Sequence, residues 1–202
     1  MADFADLSVH IPKDIYEKVY HWINKSSHEV SGFGSLDFDA GAGIFTVTDA
    51  ILLEQDNGPS SSEIDGGAIA TAMYEMRNQE NGLKWWWHSH VDMAVFWSGD
   101  DMECIRSMGQ QGWILSTVFN KQKHSRSSFY TTRDLLGFSR EIFSDQLPTT
   151  VISPPIDADL IAQWDAEYSA KVTERKYVPS KNYQHSFPHV TTAQSFNDFG
   201  GH

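Results

Sequence analysis

The chain is expected to fold as an α/β protein, a mixed sheet flanked by helices, and three observations lead there. Ile15, Val19, Trp22 and Ile23 recur at i, i+4, i+7 and i+8, the spacing of one helical face. A strand from Val30 to Phe38 and the β-branched, apolar run Ile44 to Leu53, one strand or two with a bend, are joined by the turn-rich Asp39-Ala40-Gly41-Ala42-Gly43 and read as a hairpin. Helical and extended segments then alternate, an order that layers helices on the faces of a sheet.

From the N-terminus, Val9 to Ile11 is a short apolar lead. Pro12 suits a helix start, because its missing N–H falls where a helix has no acceptor. That helix ends near Asn24-Lys25-Ser26-Ser27. Gln55 to Asp65, rich in Ser, Asn, Gly and Pro, is expected to be a loop long enough to be functional. Asp65 reads as the N-cap of a helix from about Gly66 to Gln79, with Ile69, Met73 and Met76 facing inward. After a turn at Asn81-Gly82, Leu83 to Trp87 is a buried strand. Ser98 opens a further helix through Met102 to Met108, and Gly109 to Gly112 closes it. Trp113 to Asn120 is a strand, with Ser128 to Thr132 as its antiparallel partner. Leu147-Pro148 through Ser153-Pro154-Pro155 reads as a linker or edge segment. Asp157 to Lys176 is a helix with Leu160, Ile161, Trp164 and Tyr168 on one face, and Val178 onward is a polar-aromatic tail. The division expected is a core at 1–145 and a C-terminal extension at 146–202.

Composition narrows the partners. With 202 residues, 40% of them hydrophobic and 13% aromatic, the chain can bury a substantial core, and most of its seven Trp and 12 Phe are expected there. A formal charge of -12, from 15 basic and 27 acidic residues without a basic stripe, argues against nucleic acid, whose phosphates need clustered Lys and Arg. One cysteine, Cys104, rules out an intramolecular disulfide and a multi-cysteine zinc knuckle; its spacing from Met108 suggests packing inside a helix. The acidic start Met1-Ala2-Asp3-Phe4 does not resemble a signal peptide, and no uninterrupted apolar run approaches 18 residues, so no membrane partner is expected. A reducing, cytoplasmic location follows as the expectation.

The chemistry concentrates in Trp85-Trp86-Trp87-His88-Ser89-His90 and the Ser98-Gly99-Asp100-Asp101 that follows. His88 and His90, at i and i+2, share one side of a strand because side chains alternate. If Ser98 is the N-cap, Asp101 is the third helical residue of a capping box with Asp in the usual Glu position, beside free backbone N–H groups and the positive helix end. Two imidazoles and one carboxylate form a three-ligand zinc set that leaves a fourth tetrahedral position for water. The pattern H-x-H-x7-S-x2-D arises by chance in about one chain in a few hundred of this composition.

This pattern resembles the signature of the JAMM (JAB, or MPN-plus) zinc metalloproteases, in which an upstream Glu precedes H-x-H-x7-S-x2-D. The match falls on His88, His90, Ser98 and Asp101, and Glu29-Val30-Ser31-Gly32 is similar to the family's E-x-x-G context after the first helix. The resemblance covers roughly Val9 to Thr132 and implies a cytidine-deaminase-like MPN core binding one Zn2+ through His88, His90 and Asp101. It implies Glu29 as the general base that takes a proton from water and returns it to the leaving amine, and Ser98 as the hydrogen-bond donor to the oxyanion. The activity implied is hydrolysis of a peptide or isopeptide bond in a protein substrate, in the family manner often a conjugate of ubiquitin or a ubiquitin-like protein. Glu54 and Glu63 are the alternative bases, and Asp92 and Asp100 flank the site. The chain departs from the family at Val91, where proline is common, which bears on the shape of the loop to Ser98. His124, His185, His189 and His202 have no partner at a ligating spacing. Two other readings stand beside the peptidase: a non-catalytic MPN-type zinc-binding scaffold, and a zinc deaminase. The second lacks the C-x-x-C that its usual form requires.

Overall fold

The computed structural model describes residues 7–58, 61–110, 112–135, 138–153 and 158–174. The apolar lead is a strand, β1 (Ser8–Pro12), running into helix α1 (Lys13–Lys25), whose N-cap is Pro12. The expected hairpin follows as β2 (Ser31–Asp39) and β3 (Ile44–Leu52), with a bulge at Ser35/Leu36. Then come β4 (Gln55–Gly58), β5 (Ser61–Ile64), α2 (Gly66–Glu75), β6 (Trp85–Ser89), α3 (Gly99–Gly109), β7 (Trp113–Phe119) and β8 (Ser125–Leu135). The chain continues through β9 (Phe138–Leu147), β10 (Thr149–Ile152), α4 (Ala158–Lys171) and β11 (Val172–Glu174).

Eight strands form one mixed sheet in the order β10-β1-β3-β2-β6-β7-β8-β9, and β11-β4-β5 form a small second sheet. The large sheet curls so that its ends approach: Ser127 of β8 and Thr149 of β10 share a hydroxyl hydrogen bond of 2.9 Å. Side-chain alternation along β6 divides the core in two. Trp85 and Trp87 pack with Trp22 of α1 and Trp164 of α4, while Trp86 packs on the other face with Ile105 of α3 and Ala72 of α2.

Glycine makes the first layer possible. Gly32 and Gly34 of β2 lie opposite Trp87 and Trp85 of β6, and a Cβ on either glycine would drive into the neighbouring indole and into a β3 carbonyl. The indole of Trp87 fills that space, donates Nε1–H to the Phe33 carbonyl at 3.1 Å and stacks on Trp22 at 5.6 Å between centroids. Helix α4 closes the same side: Trp164 is buried, and its carbonyl accepts Trp22 Nε1–H at 3.1 Å.

Several expectations need correction. The segment 55–65 is a hairpin, not a loop. Gln55 is buried and bonds both the N–H and the carbonyl of Ser31, while β11 pairs with β4, so polar side chains replace the apolar pattern that marks most strands. Helix α2 ends at Glu75 and turns Ala68, Ile69 and Ala72 inward, leaving Met73 half exposed. Cys104 is exposed, one step round α3 from the buried Ile105. Strand β9 has an almost wholly exposed face pattern, so no hydrophobic alternation announced it. Ile161 of α4 is exposed, and the expected starts and ends of that helix at Asp157 and Lys176, like the tail from Val178, lie outside the described residues. No described helix is long and apolar enough to cross a membrane.

Gly32→Ala is expected to destabilise the protein by about 1–3 kcal/mol, since the new methyl meets backbone that cannot yield. Urea unfolding should show a lower midpoint with little change in slope.

Candidate metal centre

Three elements converge at the end of β6. His88 is its fourth residue and His90 follows immediately after the strand; Trp86, His88 and His90 share the face that looks toward α3. Ser98 caps α3 as its residue type suggests: its Oγ accepts the Asp101 N–H at 3.1 Å, and Asp101 Oδ2 accepts the Ser98 N–H at 2.8 Å. The reciprocal cap turns the Asp101 carboxylate back toward the strand.

The resulting distances are short and mutual. His88 Nε2 and His90 Nε2 lie 3.2 Å apart, Asp101 Oδ1 is 3.2 Å from His88 Nε2, and Asp101 Oδ2 is 3.4 Å from His90 Nε2. Ligands about 2.0–2.1 Å from a tetrahedral ion sit roughly 3.4 Å from one another, so this trio could hold a metal ion. Both histidines are 3% exposed. His90 donates Nδ1–H to the Ala94 carbonyl at 3.1 Å, which leaves Nε2 as the lone-pair nitrogen of the neutral ring.

Electrostatics sorts the ionisable groups. Burial pushes the His88 pKa down, with Asp101 opposing. At His90 burial works in the same direction, but Asp101, the Ala94 carbonyl and Glu29 outweigh it and the pKa rises. Burial also opposes ionisation of Asp101, yet the two imidazoles and the Ser98 N–H hold its carboxyl far below the usual range. Glu29 is the contrasting carboxylate. It is 9% exposed, and desolvation raises its pKa to about 7, with His90 pulling down and Asp101 pushing up. Ser31 pairs with His88 and Val30 bonds Ser89, so the backbone register brings Glu29 to the His90 end of β6, beside the trio and outside it. Neighbours fix its backbone: Val30 N–H donates to Ser89 Oγ at 3.0 Å, and the Val30 carbonyl accepts the Ser89 N–H at 2.9 Å.

The structure therefore gathers His88, His90, Asp101, Ser98 and Glu29. It leaves Glu54, Glu63, Asp92 and Asp100 exposed, and Asp92 accepts a hydrogen bond from Gln122 at 3.2 Å. His124 is occupied with Asn120, and His185, His189 and His202 lie outside the described residues. Val91 takes φ 48°, a left-handed conformation that a β-branched residue rarely adopts and that proline's fixed φ cannot reach. The Ala94 carbonyl was not foreseeable, since any residue supplies that atom. Trp97, whose ring lies 5.9 Å from that of His88, could have been suspected from its place beside Ser98.

No protein-family description and no curated protein matches the sequence. Among solved structures, the fold is similar to the solution structure of protein DSY2949 from Desulfitobacterium hafniense, a structural-genomics target. The two share 14% identity with a TM-score of 0.50, over 71% of this chain and 94% of the other. The likeness concerns the fold alone.

The raised pKa of Glu29 has a sign that can be tested in metal-free protein. A carboxyl whose folded pKa lies above its unfolded value contributes stability below about pH 4.5, and that contribution is lost as pH climbs to about 7. Glu29→Gln removes the burden of a buried negative charge. The metal-free variant should therefore melt above the metal-free wild type at pH 8, and the gap should close near pH 5.

Proposed function

We propose that this chain is a zinc-dependent metallopeptidase of the JAMM type that hydrolyses a peptide or isopeptide bond in a protein substrate. The observation that carries the reading is the convergence of His88, His90 and the Asp101 carboxylate at 3.2–3.4 Å beside a second, buried carboxylate, Glu29; the imidazoles hold the Asp101 pKa down while burial raises that of Glu29 to about 7. Groups driven apart in this way mark a ligand and a proton-transfer base.

Two nitrogen donors and one oxygen donor, with no sulfur, are a set that suits catalytic zinc and leaves a position open. When bound, the ion supplies a Lewis acid that polarises a carbonyl and acidifies water. The remaining work falls to side chains. A base near pKa 7 can take the proton of the attacking water and return it to the departing amine, and Glu29 fits that role. Ser98 Oγ accepts the Asp101 N–H, so its own hydroxyl hydrogen is free to donate to the oxyanion that develops on the substrate. The substrate class, a conjugate of ubiquitin or of a ubiquitin-like protein, follows from the resemblance of His88, His90, Ser98 and Asp101 to the family signature.

The test uses purified protein with one equivalent of zinc and a panel of linked ubiquitin-like substrates. Wild type should cleave at least one and lose that activity to a chelator. Glu29→Gln should retain zinc and lose cleavage by about 10²–10⁴-fold, the usual contribution of a general base. Equal cleavage by the variant would remove Glu29 from the mechanism, and zinc uptake without cleavage of any substrate by wild type would favour the scaffold.

A further inference from the structure

The two histidines are held in different ways. His90 is fixed by its hydrogen bond to the Ala94 carbonyl, whereas the Nδ1 of His88 is buried with no hydrogen-bond partner among the described residues. Beyond the contacts its Nε2 makes with Asp101 and His90, the orientation of the His88 ring therefore rests on packing. Trp86 stacks on it with centroids 4.5 Å apart, and Trp97 leans against it at 5.9 Å. Trp86 is locked within β6, but Trp97 lies in the irregular segment between His90 and α3 and needs a tether of its own.

That tether comes from β9, 48 residues away, where Asp145 Oδ1 accepts Trp97 Nε1–H at 3.0 Å. Asp145 is itself held by Arg126 of β8, through Nε at 3.0 Å and a second bond from Nη2, and by the Gln146 N–H at 2.8 Å. The ion pair is about three-quarters buried, with 27% and 26% exposure at Arg126 and Asp145. Burial works against the Asp145 carboxylate, but these donors outweigh it and keep its pKa below the ordinary value.

We propose that Asp145 and Trp97 are positioning residues of the metal centre. Asp145 fixes the indole of Trp97, and Trp97 fixes the His88 ring together with the Ser98 end of α3, from which Asp101 reaches the same centre. The inference rests on the metal-centre reading. Outer partners of this kind hold ligands in register, and their loss typically weakens metal binding by about 10–100-fold.

The test titrates the metal-free full chain with Co2+ and follows the visible absorption of the bound ion. Trp97→Phe keeps an aromatic ring and the Arg126–Asp145 pair but removes the N–H donor. Asp145→Asn cannot face donors with both ends of its amide. Arg106→Gln breaks another α3–β9 contact, the exposed Arg106–Glu141 pair at 3.4 Å, and serves as the control. Trp97→Phe and Asp145→Asn should each weaken Co2+ binding by about 10–100-fold, the double variant should be no weaker than the worse single one, and the control should match wild type. A merely structural tether would lower the melting temperature and leave Co2+ affinity alone, so affinity within twofold of wild type in folded variants overturns the proposal. If Asp145→Asn does not fold, Trp97→Phe decides. A wild type that takes up no Co2+ overturns the metal-centre reading itself, a separate result.

Discussion

The carboxylate of Asp101 serves two structures at once, and the site depends on that double use. One oxygen closes the first turn of α3 by accepting the Ser98 N–H at 2.8 Å, and the pair of oxygens faces His88 and His90 at 3.2 and 3.4 Å. A helix N-terminus favours a negative charge, and hydrogen bonds from the imidazoles favour it again, so burial does not neutralise the residue. Without the cap, a mobile Asp side chain would have to be ordered before it could meet both rings. With it, the ordering is already present in the fold.

The sheet supplies the other half of the site. Because β6 sits between β2 and β7 with both faces covered, its alternation sends Trp85 and Trp87 to the α1 side and Trp86 and His88 to the α3 side. The indoles are bulky enough to demand glycine at Gly32 and Gly34, and those glycines lie on the strand that Glu29 precedes. The packing that fixes the register between β2 and β6, Ser31 opposite His88, thus also sets Glu29 beside the candidate metal-holding trio.

Local signals in the sequence were enough to read much of this. The 3.6-residue spacing of Ile15, Val19, Trp22 and Ile23, the turn between β2 and β3, and the Ser98-to-Asp101 box each carry their own structural instruction, and the structure follows them. What was illegible depends on distant partners. The β4–β5 hairpin is held by the side chain of Gln55 and by β11, neither of which leaves a hydrophobic period. Strand β9 is exposed and polar, and Asp145 acquires its role only because folding brings it to Trp97. Helix α4 could be read as a helix, but not that Trp164 would join the core against Trp22.

The claim beneath the account is that two imidazoles and one carboxylate share a single ion at the end of β6. X-ray absorption at the zinc edge, on protein carrying one equivalent of zinc, tests it most directly. The account predicts nitrogen and oxygen neighbours only, at about 2.0–2.1 Å, with the multiple-scattering pattern of two imidazoles. A sulfur neighbour at about 2.3 Å, or a spectrum with fewer than two imidazoles, would contradict it.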